Sequence, residues 1–171
     1  MEITEKDQTH QADTKLHIII VNLVHKLKRN CYICDLFLLV YTSVMYNLFV
    51  EDMRTFAVLE AVMILIMGFI QYSLISNKST FVTNTAVDIK FTNDYIIVTT
   101  AAFDGPLWFK KTSMEVRLKR AETVVKQVNN PFPLIFKNDS HTLKLKYKSA
   151  AIYVMTGYFN WRVEEELKAV K

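Results

Sequence analysis

The chain has 171 residues, 51% of them hydrophobic, with 21 Lys or Arg against 17 Asp or Glu and a net charge of +4. That length holds one ordinary domain, or a small domain beside membrane-spanning segments, and a mean hydropathy of +0.13 beside 22% charge requires the apolar residues to be concentrated in part of the chain. Three Gly and three Pro exclude a collagen-like or linker-rich chain, and two Cys, both in "CYIC" (31–34), exclude a disulfide framework.

Residues 1–14 are polar and of mixed charge, with no apolar h-region of a signal peptide, so a loose tail is expected. Over 15–30, "KLHIIIVNLVHKLKRN", the apolar positions Leu16, Ile19, Ile20, Leu23, Val24 and Leu27 share one helical face. Lys15, Asn22, Lys26 and Arg29 share the other, and Asp13 or Thr14 is placed to cap the start. A basic amphipathic helix of this kind either lies in a membrane interface or packs its apolar face on the C-terminal region or on another subunit. Both readings stay open.

Two runs follow, 31–50 and 56–76, each close to the roughly 20 residues a helix needs to cross a hydrocarbon core of about 30 Å. The second is apolar or Gly at every position from Ala61 to Ile70, hydrophobic all round and not along one stripe. Between residues 36 and 75 the only acidic or basic side chains are Glu51, Asp52, Arg54 and Glu60. Two helices buried all round in a soluble protein would need more covering sequence than remains, so a transmembrane hairpin is expected, with "EDMRT" (51–55) as the turn outside the bilayer. His25, Lys26, Lys28 and Arg29 precede the first run, and Lys78 and a basic region follow the second. The positive-inside rule then predicts a multi-pass protein of the cell membrane with both termini cytoplasmic.

From Asp88 onward fourteen Lys or Arg stand against nine Asp or Glu. "VDIKF" and "YIIVTTAAF" flank "TND" and read as a hairpin; "DGP" (104–106) reads as a further turn. The middle of 107–128 is ambiguous between strand and helix. "PLIFK" and "TLKLKYK" read as strands joined at "NDS", and "SAAIYVMTGYFNWRVEEELKAVK" as a closing amphipathic helix through Tyr158, Trp161, Val163 and Leu167. The fold class expected is a membrane α-helical hairpin plus an α+β, mostly antiparallel unit over 81–171.

The order "VDIKFTNDYIIVTT", "PLIFKNDSHTLKLKYKS" and "WRVEEELKAVK", behind two apolar runs, resembles the small bacterial membrane proteins with a PH-like C-terminal domain, the YcxB-like group. The resemblance covers about the last 90 residues and the runs before them, and Trp108 fits its pattern only loosely. It implies a non-catalytic membrane-bound domain, in some members linked to envelope stress or to self-protection (immunity) against bacteriocins.

The remaining chemistry is sparse. "CYIC" lacks the βα context of a redox pair and the further ligands of a zinc site, and is read as two inert thiols. Glu60 inside the second run is either a proton or ion ligand or an interfacial acid, with Asn47 and Arg54 as the partners on offer. In "TLKLKYK", Leu143, Leu145 and Tyr147 share one strand face, while Lys144, Lys146 and Lys148 share the other. Those lysines either bind anionic headgroups, together with Lys26, Lys28 and Arg29, or protect an edge strand from aggregation. Trp108, Tyr158, Phe159 and Trp161 are read as core. No catalytic group, cofactor or metal site is expected, and a membrane anchor argues against nucleic acid. The function expected is a non-enzymatic accessory, scaffold or protective protein that binds lipid, another membrane protein or itself. The alternative is a subunit of a transporter or channel with Glu60 in the membrane.

Overall fold

The computed structural model describes residues 8–106, 109–129 and 142–170. "PLIFK", "NDS", His141 and Trp108 lie outside the described residues.

A strand, β1 (Gln8–Gln11), precedes two long helices, α1 (Thr14–Leu48) and α2 (Met53–Thr83). At 1.5 Å per residue the helices are about 52 Å and 46 Å long. Asp13 caps α1, its carboxylate accepting from the Lys15 N–H, and Asp52 caps α2 by accepting from the Thr55 N–H. The helices run antiparallel and meet along their lengths, with the Tyr46 and Phe56 rings edge to face at 5.9 Å near the turn.

The separate helix expected over 15–30 and the run 31–50 are one element. "RNCYICD" contains neither Gly nor Pro, so nothing interrupts the backbone ladder between them. Likewise α2 continues beyond residue 76 to Thr83, so the β unit opens at Ala86 and not at 81.

That unit begins with β2 (Ala86–Phe91) and β3 (Tyr95–Thr100), antiparallel about the predicted "TND" turn. A short hairpin, β4 (Phe103–Asp104) with β5 (Lys110–Lys111), comes next. The ambiguous middle resolves into β6 (Glu115–Lys119), a 3-10 turn over Arg120–Glu122 and β7 (Val124–Val128). Then come β8 (Thr142–Tyr147) and β9 (Ala150–Met155), a second 3-10 turn at Thr156–Tyr158 and α3 (Trp161–Lys168).

Among the described residues two larger sheets result beside the β4–β5 pair, ordered β1-β2-β3-β6 and β7-β8-β9, with every named strand pair antiparallel. Their inner faces enclose one core, in which Ile89, Ile96, Val98 and Leu118 of the first sheet meet Leu143, Leu145, Ile152 and Val154 of the second. Val163 and Leu167 of α3 close that core.

A second core joins helices to sheets. Leu16, Ile20, Leu23, Val24, Leu27 and Cys31 of α1 pack with Ile75, Phe81 and Val82 of α2, Phe103 of β4, Met155 and Tyr158. The choice left open for the Leu16–Leu27 face is thereby decided. It is spent within the chain, so it offers nothing to a bilayer surface or an outside partner.

Four further expectations change. Residues 8–11 are not a loose tail: Gln8–Gln11 pairs along Asp88–Phe91, and the Ala12 N–H donates to the Val87 carbonyl at 2.9 Å. The open backbone groups along β2 supply the reason. The closing segment is helical only from Trp161; "AAIYVM" is the strand β9. Tyr158 is buried and Phe159 half-buried, but Trp161 points outward at 64% exposure and is not core. Finally, β8 lies in the middle of its sheet, which removes the edge-protection reading of its lysines. Lys148 is not on that strand at all: it occupies the turn after Tyr147 with φ 51°.

Candidate functional site

Beyond Cys31 the helices leave the β unit, and no residue of α1 past that point is fully buried. In each apolar stretch only 6% of the residues are buried. Leu65 and Phe69 are each 72% exposed. What burial exists follows one seam, where half-buried Leu38, Thr42 and Met45 of α1 oppose Leu59, Glu60, Met63 and Met67 of α2 at three-to-four-residue spacing.

Two polar pairs cross that seam. The Thr42 hydroxyl lies in hydrogen-bond contact with Glu60 Oε1 at 2.5 Å and donates to the Leu38 carbonyl at 2.9 Å. The Gln71 amide donates to Asp35 Oδ1 at 2.8 Å. The other Glu60 oxygen, Oε2, is buried without a hydrogen-bond partner among the described residues. Neither partner that the sequence offered for Glu60 is used: Asn47 donates to the Ser43 carbonyl of its own helix at 2.7 Å, and no Arg54–Glu60 ion pair occurs among the described residues. Thr42 escaped the sequence reading because it lies in the other run, where hydroxyls lower hydropathy little.

Where the helices enter the β unit, the β4–β5 hairpin clasps both. The Lys28 ammonium donates to Asp104 Oδ2 at 3.0 Å, Lys110 stands 3.3 Å from Asp104 Oδ1, and the Phe109 ring lies 5.9 Å from that of Tyr72 on α2. Gly105 is required at the bend because a Cβ there would fall 2.1 Å from Phe103 Cε1 and 2.8 Å from the Phe109 carbonyl oxygen. Exposed Lys26 and Arg29 flank Lys28 on α1 and exposed Lys111 follows Lys110 on β5, a basic collar in sequence about the two lysines that share the Asp104 carboxylate. The sequence pointed to Lys26, Lys28 and Arg29; Lys110 and Lys111 were missed because only the fold brings them beside α1.

The other predicted lysines belong to β8 and the turn after it. Lys144 lies over the Tyr153 ring at 5.4 Å, half-buried, and Lys148 over the Tyr147 ring at 5.2 Å, while Lys146 is exposed. Tyr153 in turn packs its ring 5.4 Å from that of Phe81, so this face of the second sheet adjoins the end of α2.

The Lys28 hydrogen bond, with Lys110 second, holds the Asp104 carboxyl below the usual carboxylate range. A carboxyl depressed by folding contributes stability that is present above its ordinary range near pH 4 and is lost as pH falls through the lower folded value. Comparing thermal midpoints of the wild type and Asp104→Asn across pH should show a gap at neutral pH that closes on the acid side of about pH 4.

Cys31 is buried and Cys34 half-buried, both as free thiols. Among the described residues no group of three or more His, Cys, Asp or Glu is placed to hold a metal ion. No family model, curated protein or solved structure matches the chain.

Proposed function

We propose that the chain is a non-enzymatic protein of the cell membrane whose two helices cross the bilayer as a hairpin and whose β unit, PH-like in its pairing of two antiparallel sheets with a closing helix, works on the cytoplasmic side as a scaffold or protective module. The observation that carries this reading is the 6% burial of both apolar stretches. In water those side chains would stand as a large unpaired apolar surface, whereas hydrocarbon is their matching solvent.

The pairing of β1, before the helices, with β2, after them, supports the same-side placement of the two flanks independently of charge. The basic collar supports the side, since Lys and Arg concentrate on cytoplasmic flanks, where the surface is anionic. Lys26, Arg29, Lys110 and Lys111 are then the headgroup contacts, and the exposed Lys146 face is left for a protein partner or a second copy.

The test is labelling of single cysteines in intact cells, at Met53→Cys and Lys146→Cys in a background with Cys31 and Cys34 replaced by Ser. An impermeant reagent is expected to reach position 53 and not 146. Labelling at 146 would place the β unit outside, and a soluble protein would end the reading. On the same preparations, Lys110→Glu with Lys111→Glu should lower retained anionic lipid by about fivefold per residue, from roughly 1 kcal/mol each.

The unpartnered Glu60 Oε2 favours one second reading, a transporter or channel subunit in which that oxygen meets a proton or ion. Glu60→Gln keeps the shape of the side chain and removes its charge. Unaltered function in cells with unaltered protein level would dismiss the second reading; loss of function at normal level would put it first.

A further inference from the structure

The second sheet ends at β7, which pairs with β8 along one edge only. Among the described residues no backbone hydrogen bond joins Val124, Lys126 or Val128 to any element beyond β8. An edge of this kind is a template for one more strand.

The side chains along that edge are specific in charge. Val125 packs on the core between the sheets, so Val124, Lys126 and Val128 face outward by alternation. Lys126 stands directly opposite Lys144 of β8, and Lys144 directly opposite Tyr153 of β9. Lys144 rests over the Tyr153 ring at 5.4 Å. Lys126 is exposed and forms no ion pair among the described residues. Two like charges directly opposite across a strand pair destabilise a sheet. Lys146, two residues along β8, adds a third ammonium to the same face. No Asp or Glu occurs in β7, β8 or β9 to offset them. The row Tyr153, Lys144, Lys126 thus stops at an open backbone edge with its positive charge unanswered.

We infer that β7 takes up an extended acidic segment of a partner protein as an added strand of this sheet. The backbone of the segment pairs with β7 and sets a carboxylate opposite Lys126. Apolar residues two places to either side then lie opposite Val124 and Val128. A lipid headgroup would answer the charge but offers no ladder of backbone partners. A second copy of β7, paired about its centre, would set Lys126 beside its own counterpart and brings no acid. The inference names the kind of partner for the Lys146 face, so it rests on the protein-binding part of the function proposed above and not on the bilayer.

The probe is a capped seven-residue peptide with glutamate at its centre, valine two places to each side, threonine or serine elsewhere, and a neutral dye. Its counterpart carries lysine at the centre. Fluorescence anisotropy is read against the full chain in zwitterionic nanodiscs, with empty nanodiscs subtracted. The glutamate peptide is expected to bind saturably and at least about fivefold more tightly than the lysine peptide, since an opposite charge across the pair is replaced by a like one. Lys126→Glu should reverse that preference, a result that loss of folding cannot produce. Amide hydrogen exchange along β7 should slow with bound glutamate peptide, while that of β9 stays unchanged. Absence of saturable binding, equal affinity for the two peptides, or an unreversed preference in Lys126→Glu would overturn the proposal. So would displacement of the glutamate peptide by vesicles rich in phosphatidylglycerol, which would make the face a lipid surface. The cysteine labelling described above reads the membrane hairpin independently of each of these outcomes.

Discussion

Leu145→Ala is expected to destabilise the β unit by about 2–5 kcal/mol, the usual cost of truncating a leucine in a core that cannot collapse. Leu145 is 0% exposed on the middle strand of its sheet, paired to Val125 on one side and Ile152 on the other. No neighbouring element is free to move inward, because β8 is held by hydrogen bonds along both edges. A loss of this size is a large part of the roughly 5–15 kcal/mol that stabilises a domain. The measurement is urea unfolding followed by the near-ultraviolet signal of the aromatic residues. Leu65→Ala, at a leucine 72% exposed, should leave that same transition where it was. Equal effects at the two positions would mean that the apolar stretch around Leu65 is packed like the core between the sheets, contrary to its exposure.

Leu65→Asp should act on the other half of the molecule. An acidic residue at the centre of a spanning helix costs about 2.5–3.5 kcal/mol for insertion. Leu65 lies in the fully apolar stretch between Ala61 and Ile70, facing away from α1. No basic side chain of the same stretch is within one helical turn to neutralise a new carboxylate. The variant is therefore expected to fall at least tenfold in the carbonate-resistant membrane fraction. A protein whose apolar helices stood in water would tolerate the change far better, since a surface aspartate there costs little. Leu65→Asp with an unchanged membrane fraction would thus remove the argument for a bilayer.

The parts of the fold that were legible in the sequence are those set by local pattern. The all-round apolar run from Ala61 to Ile70 could only be a helix exposed to something other than water, or buried on every side, and the "TND" between alternating residues gave the β2–β3 hairpin. A cap at Asp13 or Thr14 was legible for the same reason, and the helix uses Asp13. The parts that failed depend on distant partners. "QTHQ" has no strand-like alternation, and it is a strand only because β2 offers it an edge. "AAIYVM" is a short apolar run that periodicity alone does not assign to strand or helix; its pairing with β8 decides the matter. The apolar face from Leu16 to Leu27 was visible, but nothing local told whether lipid or protein would cover it. At the candidate site the same division holds. Lys26 and Arg29 were recognisable from their place before an apolar run, whereas the meeting of Lys110 with Lys28 at Asp104 and of Thr42 with Glu60 exists only once segments far apart in the chain come together.

The strand β1 has a consequence for the order in which the molecule is made. It leaves the ribosome before both long helices, yet its partner β2 is synthesised only after them. Until then its backbone donors and acceptors have no mate, and closing so long a loop in one step carries an entropic cost that grows with the logarithm of its length. Zipping α1 against α2 first brings Gln11 and Asp88 to the same end of a rigid rod pair and converts that long closure into a short one. The helix pair thus acts as a splint for the sheet during biogenesis. A nascent chain released before α2 is complete would keep an open strand and an uncovered leucine face, both of them marks by which proteolytic surveillance distinguishes unfinished protein from finished.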